Sequence, residues 1–266
     1  MQKTILLTGA TDGIGLETAK MLLEQGHRVL MHGRNPNKLK DVVDSLSPQY
    51  PDQMESFIAD LSSMADVKRL ASEVLAKHPK LDVLINNAGV FGGISNTTSV
   101  DGLDVRFAVN TYAPYLLTQL LLPALGTGRV VNLSSAAQAP VNLNDLAKKT
   151  DISDNSAYAQ SKLAITIWTQ DLAEKLGRQG PMVVAVNPAS LLGSKMVKDA
   201  YGIAGGDLSI GADILVRAAL SEEFADASGK YFDNDSGRFA APHPEAANKA
   251  KVQQVVQTIE DVLATL

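Results

Sequence analysis

A tyrosine and a lysine four residues apart, Tyr158 and Lys162, are the side chains of this sequence best suited to acid–base chemistry. Residues four apart on a helix lie on one face, within mutual reach. A phenol has an ordinary pKa of about 10, and an ammonium group ~4–6 Å away lowers that pKa by roughly 1–3 units. Such a phenol can donate a proton to a carbonyl oxygen, or remove one from an alcohol as the phenolate. The alternative interpretation is an ordinary solvated helix face.

Three glycines follow the first apolar run, in the stretch Thr8–Gly15. Glycine lets the backbone turn tightly and approach a pyrophosphate, and the start of the following helix favours the negative charge. The stretch therefore predicts a phosphate-binding loop, with an ordinary turn containing incidental glycines as the alternative.

Polar residues also follow later apolar runs. Asp60 and Leu61 follow the third run, Asn86–Gly89 the fourth, Asn132–Ser135 the fifth and Pro188 the sixth. Taken singly, the Asn/Gly and serine segments also fit plain polar turns, and Asp60 also fits a turn or helix-capping residue.

Short apolar segments bounded by turn residues predict seven strands. They are Thr4–Leu7, Arg28–Met31, Met54–Ile58, Leu81–Ile85, Arg129–Leu133, Met182–Val186 and, more weakly, Lys230–Phe232. Stretches with helical spacing, such as Ser63–Lys77, lie between them. This alternation predicts an α/β fold, a doubly wound parallel sheet of about seven strands with helices on both faces, in which ligands bind beyond the carboxyl ends of the strands. No linker or repeat divides the chain, so we expect residues 1–266 to form one domain.

Composition excludes several classes of function. The 24 Lys and Arg against 29 Asp and Glu give a net charge of -5, which is unlike a nucleic-acid-binding protein. The chain has no cysteine, which excludes disulfides and cysteine nucleophiles, and its four histidines lack metal-ligand spacing. The apolar run Ile5–Leu7 is too short for a signal peptide, and Tyr112–Leu125 is too short for a membrane helix. We therefore expect a cytoplasmic protein without a metal or a membrane span.

In this order along the chain, the motifs resemble those of the short-chain dehydrogenase/reductase family. The matching segments are TGxxxGxG at Thr8–Gly15, NNAG at Asn86–Gly89, a serine pair at Ser134–Ser135 and YxxxK at Tyr158–Lys162. The resemblance implies a Rossmann-type fold and hydride transfer between NAD or NADP and a small carbonyl or alcohol substrate. It also implies a homodimer or a homotetramer.

The resemblance assigns four catalytic roles. Tyr158 would be the general acid/base, tuned by Lys162, and Ser135 would hold the substrate oxygen. Asn110 would hold a water that links Lys162 to solvent. The residues implied to contact the cofactor, besides the one discussed next, are Gly9, Thr11, Asp12, Gly13, Ile14, Gly15, Asp60, Leu61, Asn87, Ala88, Gly89, Tyr158, Lys162 and Pro188.

The end of the second strand indicates which cofactor is preferred. Enzymes that prefer NAD place an acidic residue there to bind the ribose 2′-hydroxyl, whereas this chain has Gly33 followed by Arg34. A guanidinium can bind a 2′-phosphate through two charge-assisted hydrogen bonds, so NADP is favoured over NAD. Asp12 opposes this prediction, because it occupies a position that is basic in many NADP-dependent relatives.

Two long segments are expected to form the substrate pocket. The first, Ala136–Ala157, is longer than the usual family connection between the catalytic serine and tyrosine. In this it resembles the retinol-dehydrogenase-like and protochlorophyllide-reductase-like branch of the family. The second, Ser190–Gly206, holds Met196 and Tyr201 and predicts a lid or, alternatively, a surface loop. Gly193 stands where the family has a threonine that holds the nicotinamide carboxamide, so Ser194 would substitute for that threonine by a shift of one residue.

Two questions stay open at the level of sequence. The helix Ala157–Lys175 is apolar over more than one stripe, which fits either a subunit interface or two-sided packing within the chain. A catalytically silent dinucleotide-binding regulator is an alternative function, although it would need no proton donor. Epimerases and dehydratases with the same Tyr-x-x-x-Lys motif are a third class, but they carry a larger carboxyl-terminal part.

Overall fold

The computed structural model covers residues 1–266 and describes every side chain except those of Ala200 and Tyr201. Its centre is an eight-stranded sheet in the order β3-β2-β1-β4-β5-β6-β7-β8. The strands are β1 (Thr4–Leu7), β2 (Arg28–Gly33), β3 (Met54–Ile58), β4 (Val83–Asn86), β5 (Arg129–Leu133), β6 (Met182–Asn187), β7 (Tyr231–Asp233) and β8 (Arg238–Ala240). The first seven strands pair in parallel and β8 pairs antiparallel with β7.

The predicted doubly wound α/β sheet is confirmed, but the strand count of seven is wrong by one. The missed strand, β8, contains three residues and follows β7 after a four-residue turn. A run this short carries no period-two pattern, and it forms because Phe239 packs against Phe232 with ring centroids 5.1 Å apart. The extra strand covers the edge of β7.

Helices cover both faces of the sheet. They are α1 (Gly13–Glu24), α2 (Pro36–Leu46), α3 (Met64–Lys77), α4 (Val105–Phe107), α5 (Ala113–Leu125), α6 (Leu143–Ala147), α7 (Asp154–Leu176), α8 (Lys195–Tyr201), α9 (Leu208–Leu220) and α10 (Lys249–Leu263). The apolar residues of α1, α2 and α9 pack on one face, and those of α3, α5, α7 and α10 pack on the other.

Local capping explains where these helices begin. Ser63 and Ser153 accept backbone hydrogen bonds at the starts of α3 and α7, and Asn35 does so at α2, where Pro36 is the first helical residue. Among the helices of the described residues, none combines the length and apolar character that crossing a bilayer requires.

Helix α7 is buried on nearly all sides within the chain. Trp168 is 0% exposed and packs edge-on against Tyr115 of α5 with ring centroids 5.5 Å apart, Ile165 is 2% exposed, and α10 also packs against α7. The apolar width of this helix is therefore accounted for by two-sided packing, and it gives no separate support for a subunit interface.

Candidate active site

A cleft of about 570 Å³ lies at the carboxyl edge of the sheet, a volume in the range of small-molecule sites. All the residues predicted to contact the cofactor line it, and so do Ser135 and Ser194. The cleft thus brings together motifs that are up to about 180 residues apart in the sequence. Asn110 is the one predicted site residue that does not line it.

The glycine loop has a backbone that side chains would not permit. Gly9 and Gly13 have φ angles of +66° and +52°, and a Cβ at Gly15 would lie 2.0 Å from the Gly9 carbonyl oxygen. The Asn87 amide donates to the carbonyls of Thr8 and Gly9 at 2.8 and 3.1 Å, which ties the loop to the end of β4. The loop leads directly into α1, whose N-terminus is suited to bind an anion.

His32 also holds this loop, and the sequence analysis gave it no role. The Gly9 N–H donates to its Nδ1 at 3.2 Å, and Nε2 lies 3.0 Å from the carbonyl oxygen of Ala59. Burial lowers the pKa of His32 to about 4, so the ring is neutral and Nε2 donates to that carbonyl. A polar residue inside an otherwise apolar strand was the signal in the sequence.

We expect Gly13→Ala to weaken NADPH binding by at least ~10-fold, because its Cβ would project from the loop toward Ser194 on the opposite side of the cleft. The matched control is Gly26→Ala, just after the other end of α1. Gly26 has a φ of +80°, and an added Cβ there would meet no other group within 4 Å. Both variants should lose about 1 kcal/mol of stability from the positive φ. Calorimetric titration compares the two; equal affinities would contradict the phosphate-loop assignment.

Tyr158 and Lys162 face the cleft from successive turns of α7. The Lys162 Nζ lies 5.7 Å from the centroid of the Tyr158 ring. Phe91, which follows β4, packs edge-on against that ring with centroids 4.8 Å apart. Lys162 is 4% exposed and its Nζ donates to the Leu133 carbonyl at 2.8 Å. The predicted Tyr/Lys arrangement is therefore present, while Phe91 was missed because no spacing rule links it to Tyr158.

Burial lowers the pKa of Lys162 to about 7 from its ordinary 10.5. Between these values the unfolded chain binds a proton that the folded chain does not, so the free energy of unfolding contributed by Lys162 rises with pH. We expect the stability of the wild type relative to Lys162→Met to rise between about pH 7 and about pH 10. Denaturant unfolding of both proteins across this range measures it, and a difference independent of pH would contradict the shift.

Ser135 is held at the cleft by its backbone. Its carbonyl accepts hydrogen bonds from the Tyr231 hydroxyl at 3.1 Å and from the Gln138 amide at 2.9 Å. Neighbouring Ser134 is buried instead, with its Oγ donating to the Lys162 carbonyl at 3.0 Å. Ser135 is thus the more exposed of the two serines at the cleft, and its role toward a substrate stays a prediction.

Asn110 lies behind the cleft wall and is 1% exposed. It occupies a π-helical turn, Ala108–Tyr112, between α4 and α5. Its amide donates to the Val90 carbonyl and accepts from the Val90 N–H, both at 2.9 Å, and it also donates to Ser161 at 2.9 Å. This side chain binds the segment after β4 to α7; its role toward a water stays a prediction.

Asp60 acts as a turn residue at the edge of the cleft, and its contact with a cofactor stays a prediction. Its Oδ1 accepts from the N–H and hydroxyl of Ser62 at 2.9 and 2.7 Å, as a turn aspartate does, and the residue also lines the cleft. Leu61, beside it, is buried in the core.

The segment after β6 forms a wall of the cleft that includes Met196. A Cβ at Gly193 would lie 2.8 Å from the carbonyl oxygens of Ala204 and Gly206, which explains why no threonine stands there. Ser194 lines the cleft while its Oγ accepts from the Val197 N–H at the start of α8. The side chain of Tyr201 lies outside the described residues.

At the other end of the cleft, Asp12 forms an ion pair that the sequence analysis missed. The Lys38 Nζ lies 2.6 Å from its carboxylate, and this hydrogen bond holds the pKa of Asp12 below its ordinary value. Arg34 lines the same end and is exposed. The acidic residue that opposed NADP is therefore neutralised locally by a lysine.

The sheet order, the glycine loop and the paired tyrosine and lysine define a Rossmann-type dinucleotide-binding oxidoreductase. The family model described as short chain dehydrogenase matches residues 3–202, and the chain belongs to this family.

The chain is 31% identical over 268 residues to retinol dehydrogenase 13 of Homo sapiens, covering 93% of this chain and 80% of that protein. It is 37% identical over 193 residues to human polyprenol dehydrogenase, covering 69% and 58%. Among solved structures, a Shigella flexneri short chain dehydrogenase complexed with NADP has 27% identity and a TM-score of 0.69, covering 88% of this chain and 97% of that one. An Escherichia coli short chain dehydrogenase complexed with NADPH has 28% identity and a TM-score of 0.70, covering 87% and 96%. The family and the retinol-dehydrogenase-like branch are confirmed.

Proposed function

We propose that this protein interconverts an alcohol and a carbonyl compound with NADP as the hydride carrier and Tyr158 as the general acid/base. The observation that carries the proposal is that Tyr158 and Lys162 line the same cleft as the glycine loop. The Lys162 Nζ lies 5.7 Å from the centroid of the Tyr158 ring. A regulator without catalysis would have no use for this pair.

The residues of the cleft fit a dinucleotide. The glycine loop folds tightly, since a Cβ at Gly15 would meet the Gly9 carbonyl, and it presents the start of α1, which suits a pyrophosphate, to the cleft. When bound, the nicotinamide cofactor supplies or accepts the hydride. Asp60 would hold the adenine end, and Asn87–Gly89 would line the adenine ribose.

The chain's own residues account for the proton. In reduction, the Tyr158 phenol donates its proton to the carbonyl oxygen, which a hydrogen bond from Ser135 would orient. In oxidation, the phenolate removes the proton from the alcohol. In its protonated form the Lys162 side chain favours the phenolate, and Asn110 would support proton replacement from solvent.

Two observations support NADP over NAD. The solved relatives named above are complexed with NADP or NADPH. In this chain, β2 ends on Gly33 without an acidic residue, Arg34 lines the cleft and Lys38 neutralises Asp12. A 2′-phosphate at that end of the cleft would meet positive charge.

We expect Arg34→Ala to reduce the preference for NADPH over NADH by about 10- to 100-fold, equal to roughly 1–3 kcal/mol for a charge-assisted pair. Arg28→Ala, at the exposed opposite end of β2, is the control and should leave the preference unchanged. Initial rates with both cofactors measure the ratio. A wild-type preference for NADH, or an undiminished preference in Arg34→Ala, would show that Arg34 does not read the phosphate.

The substrate we propose is an apolar alcohol or aldehyde. Apolar side chains from the segments after β4 and β6 line the cleft, among them Val90, Phe91, Leu191, Met196 and Val197. The relatives whose printed names are retinol dehydrogenase and polyprenol dehydrogenase point to the same chemistry. Each buried methylene contributes about 0.8 kcal/mol, so chain length should strongly affect binding.

Following NADPH absorbance with retinal, farnesal and glyceraldehyde tests both parts of this proposal. We expect kcat/KM for the two isoprenoid aldehydes to exceed that for glyceraldehyde at least ~100-fold. A preference for glyceraldehyde would overturn the substrate class, and failure to oxidise NADPH with a broad panel of carbonyls would overturn the activity.

Four further expectations from the sequence remain predictions: one domain over residues 1–266, a cytoplasmic location, a homodimer or homotetramer, and the absence of a nucleic-acid partner. Light scattering and cell fractionation test the oligomer and the location.

A further inference from the structure

The loop that follows β6 has an unfavourable backbone at the cleft. Ala189 and Leu191 have φ angles of 117° and 54°, in the left-handed region that favours glycine. Both residues line the cleft, as do Ser190 between them and Pro188 before them. A backbone of this kind persists only where the surrounding structure holds it.

The turn between β7 and β8 holds this backbone at Pro188 and Ser190, and the Gly206 N–H donates to the Leu191 carbonyl at 2.8 Å. The Asp235 carboxylate accepts hydrogen bonds from the Ser190 N–H at 2.8 Å and from the Ser190 hydroxyl at 2.6 Å. It also accepts from the Asn187 amide at 2.9 Å, at the end of β6. The neighbouring Asn234 amide donates to the Pro188 carbonyl at 3.0 Å. Hydrogen bonds from Ser190 to Asp235 thus fix the residue that lies between the two residues with positive φ.

An ionised Asp235 carboxylate is suited to accept these hydrogen bonds. Burial alone would raise its pKa, but hydrogen bonds from Ser190 and Asn187 outweigh burial and hold the pKa below the ordinary value. The carboxylate is therefore ionised at neutral pH and accepts all three bonds.

We propose that Asp235 is a positioning residue that fixes the backbone of Ala189–Leu191 and so shapes the substrate side of the cleft. It does not line the cleft and acts through Ser190. The expected effect on kcat/KM rests on the proposed oxidoreductase function. The hydrogen bonds between Asp235 and Ser190 are a property of the folded chain alone.

Hydrogen exchange and kinetics of Asp235→Ala test this inference, with Asp226→Ala as the control. Asp226 is an exposed aspartate in the turn before β7. We expect Asp235→Ala to speed amide exchange at Ser190 at least ~10-fold, and to lower kcat/KM for the carbonyl substrate about fivefold, mainly through KM. The cofactor dissociation constant should stay within about twofold of the wild type, and Asp226→Ala should change none of these quantities.

A second substitution separates positioning from general destabilisation. Glycine favours positive φ, so Ala189→Gly in the Asp235→Ala background should restore at least half of the lost kcat/KM. Unchanged exchange at Ser190, unchanged kcat/KM beside faster exchange, or no rescue by Ala189→Gly would each overturn the proposal. If the wild type turns over no carbonyl, the proposed function fails, and the exchange rate still decides whether Asp235 holds the loop.

Discussion

Replacing Tyr158 by phenylalanine is expected to lower kcat by about 10²–10⁴-fold, the usual contribution of general acid–base catalysis, while cofactor affinity stays nearly intact. The substitution removes one hydroxyl and keeps the ring that packs edge-on against Phe91 at 4.8 Å. Steady-state rates with the best carbonyl substrate and calorimetry with NADPH measure the two quantities.

The control for this substitution removes the hydroxyl of a buried tyrosine away from the cleft, Tyr115. The Tyr115 hydroxyl donates to Glu260 at 2.7 Å on α10, so Tyr115→Phe should cost stability without a comparable loss of kcat. A near wild-type kcat in Tyr158→Phe, on any substrate that the protein accepts, would rule out the proposed mechanism.

The Lys162→Met variant should lose both turnover and cofactor affinity. Methionine keeps much of the length of the buried side chain but removes the ammonium that donates to the Leu133 carbonyl at 2.8 Å. Without a positive charge beside it, the Tyr158 phenolate loses electrostatic stabilisation, so we expect kcat to fall about 10–10³-fold.

Cofactor affinity distinguishes the two roles assigned to Lys162. If Lys162 also binds the nicotinamide ribose, calorimetry should show weaker NADPH binding, whereas unchanged affinity would remove the residue from the cofactor site. Lys175→Met, which alters a largely exposed lysine near the end of the same helix, is the control and should behave like the wild type.

The strands and the cleft were predictable because they depend on local patterns. Thr4–Leu7, Met54–Ile58 and Arg129–Leu133 are strands with the predicted bounds, since each is a short apolar run closed by turn residues. A parallel sheet brings the carboxyl ends of its strands to one edge, so motifs placed after those ends had to meet in one cleft. The position of the glycine loop follows from this rule.

What the sequence could not supply are contacts that depend on the folded geometry of distant segments. Lys38 reaches Asp12 only because β2 and β1 are neighbours, and Phe91 reaches Tyr158 across the cleft. Strand β8 is too short to leave a periodic pattern. The strained backbone at Ala189 occurs at a residue type that gives no warning of it.

The π-helical turn at Ala108–Tyr112 has a consequence for how this region tolerates insertions and deletions. Two successive side chains in it, Asn110 and Thr111, both bond to Ser161, through its hydroxyl at 2.9 Å and its carbonyl at 3.0 Å. A regular helix turns about 100° per residue, so removing one residue here would rotate every following side chain of α5 by that angle relative to α4. The wide turn therefore offsets the side-chain directions of α5 from those of α4, which lets Asn110 and Thr111 bond to α7 while the later residues stay aligned with the core.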